Sequence, residues 1–89
     1  MRPTFARVLD DLGRRLAELR RVRDWTQAEA AEKASMSETD YRAIEHGRRA
    51  ITLRTAFHLA ETLGVPLRAL FDAPVSREPR KPGRPSTAR

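Results

Sequence analysis

The stretch from Thr26 to Gly47, T-Q-A-E-A-A-E-K-A-S-M-S-E-T-D-Y-R-A-I-E-H-G, holds two helix starts almost back to back. Thr26 is followed three residues on by Glu29, and Ser37 three residues on by Asp40. In each pair the hydroxyl can accept from a free backbone N–H of the first turn. The carboxylate can reach back to the cap residue, fully for Glu29 and less well for the shorter Asp40. About two helical turns and a tight corner separate the two starts. Helices joined so tightly cross steeply instead of lying antiparallel, the geometry that presents a second helix to the major groove of DNA.

The rest of the chain reads as helices packed around that pair. Residues 4–23 form one long helix capped by Thr4, with Phe5, Val8, Leu9, Leu12, Leu16 and Leu19 on one face. Gly13 within it costs about 1 kcal/mol relative to alanine, so it points to close packing or to the junction of an N-terminal extension. Trp25 plugs the first corner. The alanine-rich second helix, Gln27 to Ala34, lets a neighbour approach closely, and Met36 fills the turn. In the third helix, Glu38 to His46, Tyr41 and Ile44 face the core while Glu38, Thr39, Arg42 and Ala43 face away. Gly47 ends it. Thr52 caps a fourth helix, Leu53 to Leu63, with Ala56, Phe57, Leu59, Ala60 and Leu63 inward. Val65-Pro66 starts a short fifth helix, Leu67 to Phe71. No segment alternates with the period of a strand, so the expected class is all-α.

Two regions follow from composition: a domain over residues 1–72 and a flexible, basic Pro/Arg-rich tail over residues 73–89. The tail contains four prolines and few large apolar groups, too few for a core. Net charge is +6; residues 1–71 carry 13 basic and 10 acidic groups, residues 72–89 five basic and two acidic. A basic chain favours polyanions, nucleic acid foremost. The absence of cysteine excludes a disulfide framework and a thiolate metal site. No apolar run approaches the roughly 20 residues of a membrane span, and the N-terminus lacks a signal-peptide core.

The motifs Leu16-x-x-Leu19-Arg20, Trp25-Thr26-Gln27-x-Glu29-x-Ala31, Ser37-x-x-x-Tyr41-x-x-Ile44-Glu45-x-Gly47 and Leu59-Ala60-x-x-Leu63-Gly64-Val65 together resemble the Cro/C1-type (XRE-type) helix-turn-helix family. That family includes phage repressors, restriction-modification controller proteins and antitoxins. The resemblance spans residues 12–71. It implies a five-helix bundle of the lambda-repressor type that binds operator DNA as a two-fold dimer, in a cytoplasmic, nucleoid-associated setting of bacterial or phage origin. Ser35 departs from the usual turn glycine, Ala30 from a usual leucine and Ile51 from a common proline. Glu38 and Asp40 place two acids at the head of the third helix.

The resemblance and the positions together nominate residues. Gln27 is the expected phosphate contact at the start of the second helix, and Arg48 and Arg49 a backbone clamp beyond the third. Ser37, Glu38, Thr39, Arg42 and Ala43 lie where side chains enter the groove. Arg42 suits a bidentate bond to guanine. Glu38 has two open readings, an acceptor for a cytosine amino group or an acid serving the helix dipole, and Asp40 reads as a capping group. Arg20 and Glu45 are implied to pair across the domain. Of Leu67, Leu70 and Phe71 some complete the core, and the apolar area that remains suits a homodimer interface. In the tail, R-K-P-G-R-P over residues 80–85 partly matches an AT-hook core, with an electrostatic arm and an inert tail as the other readings.

His46 and His58 have no metal-ligand spacing. No nucleophile–base set and no phosphate-cradling glycine loop is present, so neither an enzyme nor a cofactor is expected. The favoured function is a transcription regulator bound to a palindromic operator in double-stranded DNA. The alternative is an antitoxin or other interaction module whose main partner is a second protein.

Overall fold

The computed structural model describes residues 2–80. Four α-helices and one 3-10 turn follow in order: α1 Phe5–Val22, α2 Gln27–Lys33, α3 Glu38–Glu45, α4 Leu53–Leu63 and the 3-10 turn Leu67–Phe71. The expected fifth α-helix is therefore a 3-10 turn. Pro66 offers it no side-chain cap, and Asp72 is already extended, so only five residues remain to be wound.

Local chemistry places the helix starts. Thr4, Thr26, Ser37 and Thr52 are all extended and each accepts from the backbone N–H three residues on. At Thr26 the box is complete, because the Thr26 N–H also donates to Glu29 Oε1 at 2.8 Å. Ends are set as locally: Gly64 and Gly47 both take positive φ after their helices. Ser35 takes the same left-handed conformation, φ 57°, in the turn between α2 and α3. Glycine holds that conformation without a Cβ penalty, so Ser35→Gly is expected to raise unfolding stability by about 0.5–1 kcal/mol. Urea unfolding checks this, and an unchanged or lower midpoint would contradict it.

One cluster forms the core: Leu12, Leu16 and Leu19 of α1, Ala30, Ala31 and Ala34 around α2, Tyr41 and Ile44 of α3, Ala56, Leu59, Ala60 and Leu63 of α4, and Leu70. Trp25 and Met36 pack against its edge. The Lys33 ammonium lies 4.9 Å from the centre of the indole ring, a cation–π contact that covers the half-buried Trp25. One inward assignment needs correction. Phe57 is 52% exposed, because it sits one residue, and so about 100° of helix, off the stripe made by Ala56, Leu59, Ala60 and Leu63. Phe5 and Val8 share the apolar face of α1 but are exposed, since that end overhangs the bundle.

Gly13 explains how α1 and α3 meet. A Cβ built there would lie 2.3 Å from the Glu45 carbonyl oxygen and 2.6 Å from that of Ile44. The backbones of the two helices therefore touch, and the close-packing reading of Gly13 holds.

Beyond Asp72 the chain runs back along α1. Pro74 is buried. The Val75 N–H donates to Glu18 Oε2 at 2.6 Å, Arg14 Nη1 donates to the Glu78 carbonyl at 2.6 Å, and Arg77 forks onto Asp11 at 2.8 and 3.0 Å. Arg80 bonds Asp10 and donates to the Glu45 carbonyl, 2.8 Å away, at the end of α3. This strap consumes the charges of Arg77 and Arg80. Hydrogen bonding from Arg77 holds the Asp11 carboxyl below its usual range. Burial acts to raise Asp10, but Arg80 and Arg14 outweigh it and the net shift is also downward. Of the R-K-P-G-R-P run, only Arg80 falls within the described residues.

Candidate nucleic-acid interface

The outward face of α3 follows from the inward one. Tyr41, Ile44 and Glu45 are buried. That leaves Glu38, Thr39 and Arg42 exposed and Ala43 half-buried on the remaining arc. Gln27, the first residue of α2, reaches the same region from the side, and Arg48 and Arg49 lie exposed just past the end of α3. The residues nominated from sequence thus fall around the third helix.

A row of polar side chains links this surface to the interior. Arg42 pairs with Glu38, one helical turn earlier. Its Nε donates to Gln27 Oε1 at 3.1 Å, and Gln27 Nε2 donates to Glu45 Oε1 at 2.9 Å. Glu45 then takes a fork from Arg20, Nε to Oε2 at 2.6 Å and Nη2 to Oε1 at 3.1 Å. Arg20 Nη1 finally donates to the Trp25 carbonyl at 2.8 Å. The implied Arg20–Glu45 pair is present and buried. Burial disfavours the Arg20 charge, but the bonds and field of Glu45 outweigh it, and its pKa moves up.

Tyr41 lies beside this pair with its hydroxyl buried and, among the described residues, without a hydrogen-bond partner of acceptable geometry. Burial first, and then the charge of Glu45, push the phenol far above its ordinary range, so it stays neutral. His46, the C-cap of α3, is held below its usual value by burial and then by the charges of Arg80 and Arg48. His58 Nε2 donates to the Ala34 carbonyl at 2.8 Å, closing the end of α2 against α4.

Not every nominated residue does what its position suggested. Ser37 spends its hydroxyl oxygen on the Asp40 N–H, 3.1 Å away. The Asp40 carboxylate is not a cap; it pairs with Arg49 Nη1 at 3.1 Å. Gln27 is already engaged at both ends of its amide, and one of its N–H hydrogens is left for a phosphate. Among the described residues Arg48 makes no ion pair. Leu70 has no exposed surface, so it belongs to the core of one chain and cannot face a second copy. The reason is that the 3-10 turn points one side chain straight between α1 and α4. Leu67 is half-buried against the core, and Phe71 is 54% exposed.

The Glu38–Arg42 link was within reach of the sequence, since an acid four residues before an arginine is the favourable order on a helix. The Arg80 contact was not, because its partners lie 70 and 35 residues away. A groove lined by Arg14, Arg21, Gln27, Glu45, His46 and Arg80, among others, runs between the strap and the helices. No helix among the described residues is long and apolar enough to cross a membrane.

Residues 11–73 match the family model described as "Helix-turn-helix domain". The chain is similar to the restriction-modification controller protein C.AhdI from Aeromonas hydrophila: 30% identity, 71% of this chain and 91% of that chain covered, TM-score 0.68. It is also similar to the hypothetical transcription factor NHTF from Neisseria, with 26% identity, 81% and 83% coverage and a TM-score of 0.73. The BldD DNA-binding domain from S. venezulae matches at 25% identity, covering 73% of this chain and 97% of that one, with a TM-score of 0.67. No protein of curated function gives a significant match.

Proposed function

Since the chain belongs to the helix-turn-helix domain family, we propose that it is a transcription regulator of the Cro/C1 type that binds a palindromic operator as a homodimer. The segment Ser37–His46 enters the major groove. The observation that carries this reading is the outward row Glu38, Thr39 and Arg42 on α3, flanked by Gln27 on one side and Arg48 and Arg49 on the other. Such an arrangement puts base readers in the middle and phosphate contacts at the edges. The similarity to a restriction-modification controller protein and to a DNA-binding domain supports it.

Dimerisation in this proposal uses Phe71, with Leu67 at its edge, as the self-complementary apolar patch. Two-fold symmetry then requires half-sites about one helical turn of DNA apart, roughly 34–36 Å between centres. Selection of duplexes from a random pool tests the reading, together with the mass of the free protein by sedimentation. An enriched palindrome and a dimer mass are expected. A pool without enrichment contradicts DNA reading. A monomer that binds a single half-site contradicts the dimer.

A further inference from the structure

We infer that Glu38 is a specificity-determining residue that holds Arg42 against nonspecific phosphate and leaves it poised for a guanine edge, and that Asp40 checks the pull of Arg49 on the backbone. The inference rests on the proposed DNA reading and deepens it. Both acids lie in the first turn of α3, where they would ordinarily be assigned to the helix end. The cap is provided by Ser37 instead, and both carboxylates turn to arginines. Each acid thus takes one of the cations nominated for DNA.

The bonds around Arg42 define what it can still accept. A guanidinium has five N–H hydrogens. Nε is given to Gln27 and one Nη2 hydrogen to Glu38, which leaves three hydrogens, two on Nη1 and one on Nη2. Nη1 and Nη2 can together offer a fork to the N7 and O6 acceptors of guanine. A neutral base edge can use the fork while Glu38 and Gln27 stay in place as buttresses. A phosphate brings a negative charge up to Glu38 and meets repulsion. Arg49 is treated alike: a phosphate reaching it must displace or lie beside Asp40, 3.1 Å away. The Glu38 pair lowers the affinity of Arg42 for the uniform backbone more than for the correct base, and discrimination results.

The test uses the full chain, with binding read by fluorescence anisotropy on the selected operator and on a scrambled duplex over a range of salt. The variants are Glu38→Gln, Asp40→Asn and, as a control acid away from these arginines, Glu61→Gln. Glu38→Gln is expected to tighten scrambled-duplex binding by about 2–5-fold and operator binding by less, and Asp40→Asn to tighten both alike. Glu38→Gln is also expected to relax the base preference at one operator position, whereas Asp40→Asn leaves preferences unchanged. Glu61→Gln keeps the operator-to-scrambled ratio. An unchanged ratio in Glu38→Gln overturns the inference. So does loss of operator affinity in Glu38→Gln without tighter scrambled binding, which would make Glu38 a direct base reader. A wild-type chain with no preference among duplexes overturns both the inference and the reading beneath it, whereas a wild-type preference with unaltered variants overturns the inference alone.

Discussion

Replacing Gly13 by alanine is expected to cost about 3 kcal/mol or more, a large part of what holds a domain of this size together. Helix propensity alone gives the opposite sign, since alanine is better than glycine inside a helix by about 1 kcal/mol. Contact decides the matter. The new methyl would meet two backbone carbonyl oxygens of α3, those of Glu45 and Ile44, at 2.3 and 2.6 Å. No rotamer change can relieve backbone, so α3 must move away from α1. That movement opens the core that Tyr41 and Ile44 share with Leu12 and Leu16 and shifts the outward face of α3 at the same time. Chemical unfolding of the two proteins gives the answer. Equal or greater stability in the variant would mean that α1 and α3 do not meet backbone to backbone.

The second large effect is expected at Glu45. Glu45→Ala leaves Arg20 as a buried cation without its partner and is expected to destabilise the domain by about 3–5 kcal/mol. Arg20→Met combined with Glu45→Leu removes both charges and fills the space with apolar atoms, and it is expected to recover most of that loss. The pair of measurements separates net stabilisation by the ion pair from the penalty of breaking it. If the double variant were as unstable as Glu45→Ala, the bonds to Gln27 and the Trp25 carbonyl would be the larger contribution. The double variant also frees Gln27 from the interior and loosens the support of Arg42, so its operator affinity is expected to fall even where its stability recovers.

What could be read from the sequence was mostly short-range. The caps at Thr26 and Ser37 depend on bonds spanning three residues, and both appear where the pattern put them. The stripe Leu12, Leu16, Leu19 and the pair Tyr41, Ile44 follow from helical period, and all are buried. Errors arose where a few tens of degrees or a long loop decides. Phe57 is apolar and adjacent to the α4 stripe, yet it turns outward. Of the three apolar residues Leu67, Leu70 and Phe71, Leu70 is the one that completes the core. Asp40 looked like a cap because acids favour helix starts, but Ser37 had already supplied the acceptor, and Arg49 was near enough to take the carboxylate. The strap of residues 74–80 depends on charges some 60–70 residues apart, Asp10 and Asp11 with Arg80 and Arg77. Composition shows only that the segment is too poor in large apolar groups for a core of its own.

These contacts give α3 its orientation from several directions. Gly13 sets its distance from α1, Arg20 holds Glu45, Gln27 bridges Glu45 to Arg42, and Arg80 meets its last carbonyl. The helix is supported at its buried end, and its charged face is left to solvent. The central claim is that this face reads DNA through Arg42. It is tested most directly by the affinity of Arg42→Ala for the selected operator and for each single-base variant of it. A loss of about 1–3 kcal/mol on the operator is expected, with a relaxed preference at one symmetric pair of guanine positions. Unchanged affinity with unchanged base preferences would contradict it.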